Sequence, residues 1–152
     1  MKALTIWQPW ASLIVAGVKP YEFRGWVAPM AVIGQRIAIH AGARPAHRAE
    51  ISDLIMRLRG REAWTTGLRP GALDLLERLH ANPASSCLSA IVGTAVLGEP
   101  VRASSLFAQL GGPVNDSDRH DHSNWAWPML EIEAIAPPVP ARGAQGFWNW
   151  GT

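Results

Sequence analysis

Apolar and polar residues change rhythm several times along this chain. Lys2 to Trp7 reads as a short strand, ended by Trp7-Gln8-Pro9-Trp10. Pro9 suits the first turn of a helix, where a missing N–H is not needed. Trp10, Leu13, Ile14 and Gly17 then fall at i, i+3, i+4 and i+7, which places them on one face of a short helix. Gly17 is a natural stop for it. Tyr21 to Trp26 resumes an extended pattern after Pro20. Arg36 to Ala41 alternates with period two, as a strand does, and Gly42 closes it.

A helical insertion follows. Ile51, Leu54, Ile55 and Leu58 keep the helical period, and Leu73, Leu76 and Leu79 mark a second helix after Pro70-Gly71. Residues 82 to 86 read as a loop. Ser89 to Leu97 is the clearest strand, and Gly93 inside it signals a bulge or the close approach of another group. Residues 98 to 124 are rich in Gly, Ser and Asp and are expected to form a long surface loop with one short helix. Trp125 to Ile135 returns as a strand, interrupted by Pro128. Pro137 to Pro140 must be extended and is not expected in a central strand, because proline has no N–H to give a ladder. Gly146 to Trp150 closes the chain with aromatic surface. No internal repeat is present. The count is about five short strands, one early helix and two inserted helices. This gives an α+β fold built as a small, partly open β-barrel with helices at its rim; an α+β sandwich is the alternative.

Composition narrows the class. At 152 residues the chain is expected to be one domain, residues 1–152, large enough to fold without a metal or disulfide. Hydrophobic residues make up 48% and charged residues 17%, a core-forming balance. No apolar run approaches the roughly 18 residues of a membrane span. The opening residues read as a strand rather than a signal peptide, so cytoplasmic localisation is the expectation. Cys87 is the single cysteine and reads as a small core residue.

Net charge is only +2, which argues against strong non-specific nucleic-acid binding by bulk charge. The charge is unevenly spread. Residues 36 to 80 carry eight Arg against five acids, while residues 115 to 133 carry Arg119 against Asp116, Asp118, Asp121, Glu131 and Glu133. Most of those arginines read as a solvated helical face.

Candidate chemistry centres on Lys19-Pro20-Tyr21-Glu22-Phe23-Arg24. In an extended segment Glu22 and Arg24 point to one face. Arg24 can grip a phosphate or a base edge, and Lys19 can enter the same cleft. An ordinary Glu–Arg pair is the plain reading. The eight tryptophans supply packing first. Trp7, Trp10, Trp26, Trp125 and Trp127 lie beside turns, prolines or polar residues, where an indole plane can stack a base. Trp148 and Trp150 read as packing. His40 ends a strand, as a satisfied barrel-rim histidine or a cleft residue. His120-Asp121-His122, with Asp116 and Asp118, lacks the spacing of structural zinc sites. No metal and no cofactor is expected.

Five stretches, in order along nearly the whole chain, carry a family likeness. Leu4 to Ala11 (Leu-Thr-Ile-Trp-Gln-Pro-Trp-Ala) resembles the opening of ASCH domains, and Gly17 to Trp26 resembles their G-x-K-x-x-E-x-R-x-W motif. Ile37 to Gly42, Ala90 to Ala95 and Pro140 to Trp148 resemble later family segments, the last of them typical of bacterial and phage members. The resemblance implies a PUA-like β-barrel of about five to six strands with a helix packed beside it and a ligand cleft between the two. It also implies partners among RNA, single-stranded nucleic acid or nucleosides. A bacterial branch hydrolyses N4-acetylcytidine nucleosides; its motif lysine falls on Lys19 and its arginine on Arg24, while Glu22 stands where that branch has threonine.

Three functions follow as expectations. The first is a monomeric binding module, RNA before DNA, with Gln8, Trp10, Arg24, His40, Trp125 and Trp127 as ligand-binding residues. The second is a hydrolase or ribonuclease with Lys19 as base or nucleophile and Glu22 as proton shuttle. The third is a protein-interaction module built on exposed tryptophans.

Overall fold

In the computed structural model, which describes residues 1–110, 112 and 124–151, one mixed sheet curls into a half-barrel with helices packed alongside. The strands are β1 (Lys2–Ile6), β2 (Tyr21–Arg24), β3 (Arg36–Ala41), β4 (Ala90–Leu97), β5 (Val101–Arg102), β6 (Trp125–Pro140) and β7 (Phe147–Asn149). The helices are α1 (Trp10–Val15), α2 (Arg48–Arg59), α3 (Ala72–Ala81) and α4 (Ala103–Leu110). The sheet runs β2-β6-β4-β3-β1-β7, with β5 also paired to β6. Every adjacent pair is antiparallel except β1 and β3, which are parallel. The motifs at His120-Asp121-His122, Asp116 and Asp118 lie outside the described residues.

The main core lies between one face of this sheet and the helices. Leu4 and Ile6 of β1 and Ile37, Ile39 and Ala41 of β3 share it with Leu13 and Ile14 of α1, Ile51 and Leu54 of α2, and Leu76 and Leu79 of α3. The intervening residues face the other way. Ala3, Ala38 and Ile91 form a second cluster, covered by Ile135, Trp148 and Trp150. β3 is therefore buried on both faces, which fits its place between β1 and β4.

The expected close approach at Gly93 is present. A Cβ there would fall 2.7 Å from Glu133 O and 2.9 Å from Val15 Cγ2. The β4–β6 register also shifts between Ile91 and Gly93. Only glycine lets α1 lie this close to the sheet. α1 itself stops at Gly17, whose φ of +77° is the left-handed conformation that ends helices.

The half-barrel agrees with the expected small barrel; its main path has six strands, β7 of the aromatic tail among them, and the two-residue β5 is a seventh paired to β6. One strand expectation is corrected, that for Pro137 to Pro140, which belong to β6, a strand placed between β2 and β4. The prolines are tolerated because β2 and β5 pair only with residues 125–128 of β6. Further on, β6 pairs with β4 alone among the described residues, so its proline end behaves as an edge. No helix among the described residues is long and apolar enough to cross a membrane.

Candidate functional site

A cavity of about 1000 Å³ opens where β1, β2 and β3 end and the segment 142–146 crosses in front of them. Thr5 and Ile6 of β1, Trp7, and Trp10 at the start of α1 form one wall. Glu22 to Trp26 form another. His40, Arg44 of the β3–α2 connection and Glu50 of α2 complete the sides, and Arg142 to Gly146 form the front.

Glu22 and Arg24 lie on one face of β2, as the period-two pattern requires. Arg24 Nε donates to Glu22 Oε1 at 3.0 Å, and its terminal nitrogen donates to the Thr5 carbonyl at 3.1 Å. The guanidinium thus ties β2 to β1. Both side chains are mostly buried, with side-chain exposures of 18% for Arg24 and 10% for Glu22. The pair is a cavity wall rather than a loose surface bridge, and losing one member leaves a largely desolvated charge.

Trp7 and Trp26 are 42% and 41% exposed, large apolar planes left open at the cavity. The Arg44 guanidinium lies 4.4 Å from the Trp7 ring centre and donates to Glu50 Oε1 at 2.6 Å. Trp26 stands edge-on to two rings beneath it, Trp127 at 4.7 Å and Phe147 at 6.2 Å between centroids. Trp127 Nε1 donates to the Trp26 carbonyl at 3.2 Å, so Trp26 is supported by a buried indole.

His40 is fixed at the back. Its Nε2 lies 2.9 Å from the Ala141 carbonyl, which can only accept, so Nε2 carries the proton. Its Nδ1 lies 3.1 Å from the Thr5 hydroxyl oxygen, which accepts from Trp148 Nε1 and is 2.8 Å from the Ala144 carbonyl, so the single hydroxyl proton serves Nδ1 or that carbonyl at any one time. Thr5 and His40 are register partners across β1 and β3, which is why they meet. This cluster ties the segment 141–144 to the sheet.

Of the eight site residues expected from sequence, four line the cavity: Trp10, Glu22, Arg24 and His40. Four do not. Gln8 is fully buried; it donates to the Cys87 carbonyl at 2.8 Å and accepts from Ser12 N at 3.1 Å, fastening the start of α1. Lys19 is 1% exposed, with Nζ 5.0 Å from the Phe23 ring centre. Trp127 is core, stacked on Phe147 at 5.8 Å and 8°. Trp125 takes the Arg102 guanidinium on its ring at 4.5 Å.

Sequence reasoning did not assign Thr5, Arg44, Glu50 or Arg142 to the site. Trp7 and Trp26 were visible as turn-flanking aromatics, and Arg142 sits in a recognised motif. Arg44 and Glu50 left no signal beyond a basic, helical stretch. Trp10 Nε1 is the buried side-chain polar atom among the described residues that has no hydrogen-bond partner. Leaving such a donor unmatched costs about 1–3 kcal/mol.

The chain matches the ASCH domain family over residues 4–87, and it belongs to that family. No curated protein matches it. Among solved structures, a serine-to-alanine mutant of ZmASCH from Zymomonas mobilis shares the fold, with a TM-score of 0.53 at 16% identity over 99% of this chain and 87% of that one. Unmutated ASCH from the same organism gives a TM-score of 0.45 at 17% identity, over 91% of this chain and 72% of that chain.

Proposed function

We propose that this chain is a nucleic-acid-binding module that takes one base of a single-stranded RNA, or a free nucleotide or nucleoside, in the cavity between β1, β2 and α1. The observation that carries this reading is the pairing of open indole planes, Trp7 and Trp26, with three arginines, Arg24, Arg44 and Arg142, around one cavity. A base stacks on an indole with about 1–3 kcal/mol, whatever its identity. The arginines supply charge for the phosphate backbone and planar forks for recognition. Glu22, in the wall, accepts from an exocyclic amine or a ribose 2′-hydroxyl, and the hydroxyl favours RNA over DNA.

Membership of the ASCH family supports the same class of ligand. The hydrolase reading draws no support from this geometry, because Lys19 is not among the cavity-lining residues. Titration of a short single-stranded RNA and the matching DNA, followed by tryptophan fluorescence, tests the proposal. Saturable quenching that is stronger for RNA is the expected result, and its loss in Arg24→Ala with the fold intact locates it in this cavity. Quenching that survives Trp7→Ala and Arg24→Ala unchanged would move the site elsewhere.

A further inference from the structure

We infer that Arg44 is a positioning residue rather than a phosphate contact: braced by Glu50, its guanidinium covers one face of Trp7 and holds that indole as a preset platform for the base. This deepens the base-binding reading above and rests on it. The guanidinium lies 4.4 Å from the Trp7 ring centre and donates to Glu50 Oε1 at 2.6 Å. The two side chains of this pair are only 29% and 30% exposed. Glu50 stands in the first turn of α2, where the helix dipole favours a carboxylate. The brace is therefore anchored in a regular helix. Gly42 seats the indole at a second point, because a Cβ there would fall 3.3 Å from Trp7 Cδ1 and 3.3 Å from Thr5 Cγ2. Trp7 nonetheless remains open to the cavity. Immobilising a side chain on binding costs a factor of about 2 to 13 in affinity. An indole that is already held avoids much of that cost.

The same contacts take Arg44 out of phosphate binding. Its charge is matched by Glu50, and its flat face is spent on the ring. Arg24 is engaged in a similar way, by Glu22 and the Thr5 carbonyl. Two neutral Arg–Glu pairs in the cavity wall suit an uncharged base. The phosphate is left to Arg142, exposed at the cavity front.

The test is a double-mutant cycle on full-length protein. Arg44→Ala and Arg44→Lys are each made in wild type and in Trp7→Ala. A dye-labelled short single-stranded RNA is titrated at several salt concentrations and read by anisotropy. In wild type, both Arg44 variants should weaken binding by about 2- to 13-fold with the salt slope unchanged. Arg44→Lys keeps the charge but cannot reproduce the flat, bonded fork, so it should not restore affinity. In the Trp7→Ala background neither variant should cost anything further, because Arg44 acts through the indole. If Arg44→Ala does not fold, Arg44→Lys carries the same cycle. Wild-type affinity in Arg44→Lys, a salt slope flattened by about 0.7 in Arg44→Ala, or an undiminished loss in the Trp7→Ala background overturns this inference alone. Wild-type protein that binds no RNA overturns the base-binding reading as well.

Discussion

Gly143 packs against the His40 ring so closely that a Cβ on it would fall 2.3 Å from His40 Cε1 and 2.6 Å from Nδ1. The ring has nowhere to go. It is bonded at both nitrogens and stands edge-on to Trp148 at 5.3 Å. Gly143→Ala therefore forces either the ring or the segment 141–146 to move. Overpacking of this kind costs about 1–3 kcal/mol. The melting temperature should fall by about 3–10 °C for a chain of this size. A thermal melt indistinguishable from wild type would mean that the front of the cavity is not held as described.

Arg24 joins two strands with one guanidinium, through Glu22 on β2 and the Thr5 carbonyl on β1. Arg24→Ala leaves the Glu22 carboxylate buried without this partner. A loss of about 3–5 kcal/mol is the upper expectation for a fully buried pair, and this partly exposed one should lie below it. Arg24→Lys is not expected to rescue, because a single ammonium cannot reproduce the fork. Urea unfolding of both variants checks the order: wild type, then lysine, then alanine. Full stability in Arg24→Lys would contradict the two-strand bridge.

The tryptophans should separate cleanly by role. Trp127→Ala removes a fully buried ring that stacks on Phe147 and supports Trp26, at about 3–5 kcal/mol. Trp7→Ala removes a half-exposed plane and should leave stability nearly intact. It should weaken RNA binding by the stacking energy of one base, about 1–3 kcal/mol. Denaturation and binding curves on the two variants, measured side by side, give the comparison. A strong stability loss in Trp7→Ala would make it a packing residue too.

The division was only partly legible in the sequence. Local periodicity served well where neighbours along the chain decide the outcome. The helix at Trp10 to Val15, the strand at Arg36 to Ala41 and the shared face of Glu22 and Arg24 all follow from spacing. The glycine in β4 pointed correctly to a close approach. Long-range placement was not legible. Trp7 and Trp127 are both turn-flanking or proline-flanking aromatics in sequence, yet one is open and the other is core. Their difference arises from partners far away, Arg44 for the first and Phe147 for the second. Gln8 looked like a cleft residue because of its motif; its amide instead reaches 79 positions along the chain to the Cys87 carbonyl. The Pro137 to Pro140 end of β6 misled because a strand can be central in one half and an edge in the other.

Arg142 offers a test of phosphate contact. It is exposed, lines the cavity front and stands in the segment held by His40 and Thr5. Arg142→Ala should weaken binding of all short RNA sequences alike. It should also flatten the plot of log affinity against log salt by about 0.7, the value for one single-strand phosphate contact. An unchanged salt slope would remove Arg142 from the backbone-binding role.

The most direct test of the cavity as a base-binding site is equilibrium titration of a short single-stranded RNA, read by intrinsic tryptophan fluorescence, in wild type and in Trp7→Ala. Saturable quenching in wild type, with affinity reduced in Trp7→Ala by about 5- to 150-fold, is the predicted result. No quenching and no binding of RNA, DNA or any nucleotide would contradict it and shift the function of these exposed indoles toward a protein partner.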